Sequence, residues 1–146
     1  MGEMFRQRIP VRFSHVDWAR IIYFPRLFDL LHGVMEDFFA EAAGRSYAEM
    51  LETERIGFPT VHLESVFQRP MPFGKTLVVD MGVIELGTSR VIFEYRVKVE
   101  NDSDWAAVVH QTVVAVNMDS WTSVQIPDYY RSTFEAFAIE ALRQSS

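Results

Sequence analysis

The 146-residue sequence contains no cysteine. Without thiols the protein has no disulfide, no thiolate metal site and no cysteine nucleophile, and this composition fits a cytoplasmic protein. The HExxH pattern of zinc hydrolases is missing too, as are a phosphate-binding loop and a dinucleotide-binding fingerprint. The sequence therefore predicts no metal and no cofactor.

Long apolar runs and an excess of basic residues are also lacking. No apolar stretch is long enough to span a membrane, and no basic segment followed by an apolar run indicates a signal peptide. Acidic residues outnumber lysine and arginine by 20 to 14, which gives a net charge of −6. Nucleic acid is therefore not expected as the main partner, because phosphate backbones are bound by basic surfaces. A small anionic ligand held by a few arginines is compatible with this net charge.

A serine nucleophile is poorly supported. The segment Gly87-Thr88-Ser89-Arg90-Val91 lacks the second glycine of a nucleophile elbow, and a predicted strand rather than a helix follows it.

Apolar residues (49%) and aromatic residues (14%) suffice for one sizeable core, so residues 1–146 are expected to form a single domain. Alternating or continuous apolar residues predict strands over residues 5–13, 58–68, 76–86, 91–99 and 105–118. Helical spacing from Phe24 to Ala42 predicts one long helix, with Pro25 in its first turn and Gly44 at its end. A short helix is expected at Tyr47–Glu54. A terminal helix is expected from Pro127 onward, with Tyr130, Phe134, Phe137 and Leu142 on its apolar face.

The order of these elements predicts an α+β fold. Hairpin-length connections make the later strands antiparallel, and packing one long helix against a curved antiparallel sheet buries the apolar faces of both. The helix is mostly apolar, so either the sheet curls around it or a second subunit covers it.

Asp17 is the best lead to function. If Asp17 capped the long helix, Pro25 would fall in the second or third helical turn, which costs about 3 kcal/mol. Asp17 is therefore expected in a separate loop before the helix N-terminus, whose free N–H groups favour a carboxylate and an oxyanion. The apolar neighbours Trp18, Ile21 and Ile22 predict that this loop is covered. An ordinary turn aspartate is the alternative interpretation.

Two further sets of polar residues are ambiguous. His15 would share a side with Asp17 and form an acid–base pair, although a solvated or backbone-bonded histidine is the more frequent arrangement. Arg69, Lys75 and Arg90 lie near predicted turns. They would bind a phosphorylated ligand at the edge of a groove, or they are simply solvated strand ends.

Several segments resemble the 4-hydroxybenzoyl-CoA thioesterase family of hotdog-fold proteins, in the right order over nearly the whole chain. The most specific is Val11-Arg12-Phe13-x-x-x-Asp17-x-Ala19-x-Ile21-Ile22-Tyr23-Phe24-Pro25. The others are Arg69-Pro70-x-x-x-Gly74-Lys75-x-Leu77, Gly87-Thr88-Ser89-Arg90-x-x-Phe93-Glu94-Tyr95-Arg96-Val97 and Ile126-Pro127.

The resemblance implies a hotdog fold, in which the sheet wraps the long helix, and a homodimer or homotetramer with active sites between subunits. It implies that Asp17 attacks the thioester carbonyl of an acyl-CoA or activates water, while the Phe24 main-chain N–H holds the oxyanion. Losing such a donor costs about 2.7–4 kcal/mol in the transition state. It also implies CoA contacts from Arg90, Lys75 and Arg69. Trp18, Tyr23, Phe24 and His62 are candidates for the acyl pocket.

Two positions depart from the family pattern. Arg20 stands where many relatives have glycine, so it would reshape the loop or place a cation near the entrance for the acyl group or CoA. Phe24 stands where tyrosine or histidine is common.

The sequence thus predicts an acyl-CoA thioesterase acting on an aromatic or medium-length apolar acyl group. The alternatives are a hotdog hydratase or dehydratase using His15 with Asp17, and a non-catalytic acyl-CoA-binding protein.

Overall fold

The structure, a computed structural model, describes residues 2–142. Its strands are β1 (Phe5–Pro10), β2 (Ile56–Gly57), β3 (Thr60–Phe67), β4 (Thr76–Leu86), β5 (Arg90–Val99), β6 (Ala107–Val114) and β7 (Val116–Asn117). Its α-helices are α1 (Phe24–Glu41), α2 (Tyr47–Glu49) and α3 (Asp128–Ala136), with a 3₁₀ turn at Phe13–His15 and a π-helical turn at Met50–Glu54.

The main sheet has five strands in the order β1-β4-β5-β6-β3, and every neighbouring pair is antiparallel. The short β2 and β7 form a separate two-stranded ladder. The predicted antiparallel pairing of the later strands is confirmed. β3 lies at an edge of the main sheet, so one side of its backbone faces no other strand within residues 2–142.

The apolar side of α1 packs on one face of the sheet. The Phe38 ring contacts Phe5 of β1 and Phe93 of β5, at centroid distances of 5.6 and 6.1 Å. α3 adds Phe134, whose ring stacks on Phe38. The core therefore lies between one long helix and an antiparallel sheet, which confirms the α+β class.

The C-terminal segment differs from its prediction. α3 ends at Ala136, and the next residues run beside β4: the Val83 N–H donates to Phe137 O and the Ile139 N–H donates to Val83 O. The Ile139 side chain covers Gly82, where a Cβ would collide with it. Leu142 is therefore outside the helix, because these residues pair with a strand.

On the face of the sheet opposite α1, this segment also reaches Glu94. The Leu142 N–H donates to the fully buried Glu94 carboxylate, which accepts from Arg96 and pairs with His110 at 2.8 and 2.9 Å.

Two predicted strands are shorter than expected. β1 ends at Pro10, since the Val11 N–H donates to Lys75 O outside the ladder and a 3₁₀ turn follows. The run 105–118 divides at Ala115 into β6 and β7, which pair with different strands. Among the described residues, no helix is long and apolar enough to cross a membrane.

Candidate functional site

Asp17 lies in a short hairpin-like loop directly before α1. Val16 and Ile22 pair across this loop, and the Arg20 N–H donates to Asp17 O at 2.9 Å, which closes a turn. The Ile22 N–H donates to Met71 O at 2.9 Å, so the loop is attached to the connection between β3 and β4. The expectation of a separate loop for Asp17 agrees with this geometry.

Arg20 adopts a left-handed backbone conformation, with φ of 63°. A side chain in this region costs about 1–2 kcal/mol relative to the right-handed region, and glycine avoids that cost. The chain therefore accepts strain at Arg20 to close the turn that carries Asp17.

The Asp17 carboxylate is exposed in the single chain, and its Oδ1 accepts a hydrogen bond of 2.9 Å from the Ala19 N–H. Trp18 is fully exposed, while Ile22 is buried. The expectation of a covered loop is therefore wrong for one chain by itself, because only part of the apolar sequence turns inward.

The first residue of α1 supplies an unused donor. The Tyr23 N–H donates to His15 O, Pro25 has no N–H, and the Phe24 N–H has no acceptor within residues 2–142. No side chain caps this helix end. The Phe24 N–H thus lies at the positive end of the helix dipole, where it favours an anionic oxygen.

Asp17 and Phe24 line the same open cavity of about 470 Å³. Its remaining walls come from the residues just before α1, from the last residue of β3 and from the chain that follows it: Ile21, Ile22, Tyr23, Phe67, Gln68, Arg69, Pro70 and Met71. The structure therefore brings together the candidate carboxylate, the candidate oxyanion donor, Tyr23 and Arg69.

Lys75 and Arg69 line an adjacent cavity of about 420 Å³. Arg69 pairs with Asp104 at 2.9 Å and approaches Asp102 at 4.0 Å. A phosphate that enters here would meet Lys75 and would compete with these carboxylates for Arg69.

His15 and Trp18 are not part of the 470 Å³ cavity. The His15 Nδ1 accepts from the Arg12 N–H at 2.9 Å, so this histidine has the backbone-bonded arrangement and is not paired with Asp17. Trp18 projects into solvent and does not line the cavity.

His62 and Arg90 lie away from Asp17 within one chain. His62 pairs with Glu64 on the face of the sheet opposite α1, with 3.3 Å between Nε2 and Oε1. Arg90 begins β5, pairs with Glu85, and lies almost the full length of the 11-residue β4 from Lys75. At about 3.3 Å per residue that separation is about 35 Å.

A second cavity, of about 240 Å³, lies between α1 and β3. Its lining combines apolar with polar side chains: Phe28, Asp29, Leu31, His32, Thr60, Leu63, Tyr95, Val109 and Gln111. The rings of Phe24, Phe28 and Phe67 contact one another between the two cavities, at centroid distances of 6.4–6.5 Å. Phe24 and Phe67 line the Asp17 cavity and Phe28 lines the second cavity, so this aromatic cluster separates the two.

The sequence interpretation missed the polar residues of this second cavity. One signal was available, since Gln111 interrupts an apolar run at the same parity as the buried Val109 and Val113. A buried amide in such a run needs partners, which indicates a specific hydrogen-bonding role.

Curated and structural relatives agree with the expected family. A 1,4-dihydroxy-2-naphthoyl-CoA hydrolase of Nostoc punctiforme is 25% identical over 118 residues, 81% of this chain and 78% of that protein. A 1,4-dihydroxy-2-naphthoyl-CoA thioesterase from Synechocystis superposes with a TM-score of 0.82 at 17% identity, over 90% of this chain and 95% of the other. A gentisyl-coenzyme A thioesterase superposes with a TM-score of 0.77 at 22% identity, over 90% and 99%.

These superpositions confirm the expected hotdog fold. The family model described as the thioesterase-like superfamily matches residues 11–134 in one stretch. The chain belongs to the thioesterase-like superfamily.

Proposed function

We propose that the protein is an acyl-CoA thioesterase that releases a free acid and CoA. The observation that carries this proposal is the shared cavity, in which the Asp17 carboxylate and the unused Phe24 N–H line the same space at a helix N-terminus. A thioester carbonyl placed between them would meet a nucleophile or base and an electrostatic stabiliser of the oxyanion.

The reaction needs only these groups and water. Either the Asp17 carboxylate adds to the carbonyl carbon and water hydrolyses the resulting anhydride, or Asp17 takes a proton from water as the water oxygen adds. In both routes the carbon–sulfur bond breaks, one water molecule is consumed overall to give the free acid, and the CoA thiolate leaves and takes up a proton. The Phe24 N–H donates to the carbonyl oxygen as its negative charge develops.

An aromatic acyl group is the favoured substrate class. Phe24 and Phe67 line the cavity that contains Asp17 and contact Phe28, and their rings offer flat apolar surface to an aryl ring. The named relatives act on 1,4-dihydroxy-2-naphthoyl-CoA and gentisyl-CoA, both of which are aromatic.

A second copy of the chain would complete the site. Two chains pairing antiparallel through the free edge of β3 would place the Thr60 end of one strand beside the Phe67 end of the other. The end of the sheet that carries Arg90 would then approach the partner's Asp17 cavity, and the exposed Trp18 would gain a neighbour. The proposed assembly is a cytoplasmic homodimer or homotetramer with composite sites.

The test is a thiol-release assay with aryl-, short-chain and long-chain acyl-CoA substrates on the wild type and Asp17→Asn. The proposal requires turnover by the wild type and a loss of at least about 100-fold in the folded variant. Hydration of an enoyl-CoA without thiol release would instead support the hydratase alternative, although the Arg12–His15 contact removes its expected acid–base partner. Tight binding without turnover would support the non-catalytic alternative.

A further inference from the structure

Arg69 lies where two cavities beside the candidate site meet. It lines the Asp17–Phe24 cavity of about 470 Å³ and also the adjacent cavity of about 420 Å³ that contains Lys75. Among the residues that line the Asp17–Phe24 cavity, all of them in the described part of the chain, Arg69 alone carries a positive charge. A negative charge that develops in this cavity during a reaction therefore has one cationic side chain available.

The main chain at Arg69 is held by the connection between β5 and β6. The Gln68 N–H and the Arg69 N–H both donate to Ala106 O, at 2.8 and 3.1 Å. Pro70 follows, and its ring restricts the next φ angle. The Arg69 side chain therefore starts from a fixed point of the backbone, just after β3 ends.

Two carboxylates from the same connection hold the end of the Arg69 side chain. Its Nη2 lies 2.9 Å from Asp104 Oδ2, and its Nη1 lies 4.0 Å from Asp102 Oδ2. The loop that carries both carboxylates turns at Asn101, which has a left-handed φ of 77°. A guanidinium has five N–H donors, so an ion pair along one edge leaves other donors for a ligand. Asp104 thus orients the cation without using all of its donors.

The charges around Arg69 are poorly suited to a phosphate. Two cations, Arg69 and Lys75, lie beside two carboxylates, Asp102 and Asp104, so the formal charges of this group cancel. A phosphate would have to displace the Asp104 carboxylate from Arg69 and would be repelled by it. A negative charge that appears only in a transition state requires no such displacement, because the guanidinium is already in place. This arrangement favours a role at the reacting group over the contact with CoA that the family resemblance implies.

Thioester hydrolysis develops negative charge at two atoms of the substrate. The carbonyl oxygen gains charge when Asp17 or water adds, and the Phe24 N–H is available to that oxygen. The sulfur gains charge when the carbon–sulfur bond breaks. Asp17 is itself negative and would repel the departing thiolate, while the Tyr23 hydroxyl in the same cavity is neutral. Arg69 is the charged donor that remains for the sulfur.

We infer that Arg69 is a catalytic residue that stabilises the departing thiolate, and that Asp104 is a positioning residue that holds the Arg69 guanidinium. As the carbon–sulfur bond breaks, its electron pair passes to sulfur and an Arg69 N–H donates to that sulfur. The thiolate then takes a proton from solvent, and Arg69 keeps all of its own protons. This inference rests on the proposed function and deepens it, since it assigns a residue to the leaving group.

The test varies the acidity of the leaving thiol in Arg69→Met, which removes the charge but keeps an apolar stem. Three thioesters share the acyl group that the wild type hydrolyses fastest as its CoA ester: the esters of CoA, N-acetylcysteamine and 4-nitrothiophenol. The last two carry no phosphate, and 4-nitrothiophenol is a far more acidic thiol that needs less stabilisation as it leaves. We expect kcat/KM to fall at least about tenfold on the CoA and N-acetylcysteamine esters alike, and much less on the 4-nitrothiophenol ester.

Three further variants complete the test. Arg69→Lys keeps the charge but loses the planar fork, so it should recover part of the loss. Asp104→Asn removes the charged partner of Arg69, so it should show a smaller loss with the same dependence on the leaving thiol. Arg8→Met is the matched control, because Arg8 is also an exposed arginine paired with a carboxylate, that of Glu100 at 2.8 Å, and lines neither cavity. It should match the wild type. Exposed ion pairs contribute little to stability, so these variants should fold.

The outcomes separate this inference from the proposed function. A loss in Arg69→Met on the CoA ester alone would assign Arg69 to the phosphates, and an equal loss on all three esters would assign it to binding or folding. Either result, or no loss, overturns the inference while the thioesterase proposal stands. Should Arg69→Met not fold, Arg69→Lys and Asp104→Asn must show the dependence on the leaving thiol for the inference to hold. If the wild type releases no thiol from any thioester, both are overturned.

Discussion

The main-chain N–H of Ala19 donates a 2.9 Å hydrogen bond to Oδ1 of Asp17. The candidate catalytic carboxylate is therefore also the residue that organises its own turn. The two interpretations of Asp17, turn residue and catalyst, are compatible, because one carboxylate oxygen serves the turn.

Replacing Asp17 should separate these two roles. Asparagine keeps an oxygen that accepts from the Ala19 N–H. The free energy of unfolding of Asp17→Asn, measured in urea, should therefore lie within about 0.5 kcal/mol of the wild-type value. Alanine removes the acceptor, so the free energy of unfolding of Asp17→Ala should be lower by about 1 kcal/mol. Both variants should lose thioester hydrolysis. Equal stability of the two variants would show that the Ala19 contact does not hold the turn.

Arg20→Gly should stabilise the protein. The φ of 63° at Arg20 is strained for a side chain, and relief of that strain exceeds the added chain entropy of glycine by about 0.5–1 kcal/mol. Urea denaturation measures the change. Arg20→Ala is the matched control, because it removes the guanidinium but keeps the strain, and it should show no gain. Higher stability in both variants would show that removal of the Arg20 charge, and not relief of backbone strain, causes the gain.

The proposed composite sites make a specific prediction for mixed dimers. The Asp17→Asn and Arg90→Ala variants should each release little thiol at low substrate concentration. When the two variants are unfolded together and refolded, about a quarter of the sites should regain both residues from different chains. Thiol release should rise accordingly. No recovery, with mixed dimers demonstrated by mass spectrometry, would place Arg90 outside the partner's site.

The C-terminal segment should limit substitution at Gly82. A Cβ at this position collides with the Ile139 side chain, so Gly82→Ala should cost about 1–3 kcal/mol. Ile139→Ala removes the obstacle, and Gly82→Ala should cost much less in that background. Urea denaturation of the four proteins in this cycle gives the coupling free energy. If the stability changes of the two substitutions are additive, the Ile139 side chain does not pack against Gly82.

Local patterns in the sequence were enough to predict the main elements. The spacing of Leu27, Leu31, Val34, Met35 and Phe38 predicts α1 because helical periodicity is a local property. The short connections around β5 likewise predict its antiparallel neighbours.

Features that depend on distant pairing escaped prediction. Leu142 continues the helical spacing, yet the chain leaves the helix because Val83 offers strand partners. The inward direction of Thr60 depends on a register shift against β6, which alternation within β3 does not reveal. Arg90 was expected to contact CoA, but it lies far from Asp17 within one chain, and the sequence does not show how a second subunit would be placed.

The proposed main-chain donor at position 24 has a consequence for protein engineering. A backbone amide survives replacement of its side chain by any residue except proline, so the Phe24 ring is free to vary without loss of the N–H group. A saturation library at this codon should retain hydrolytic chemistry in most clones while their acyl preferences diverge. Acyl selectivity would thus be tunable at this position while the hydrolytic chemistry is kept.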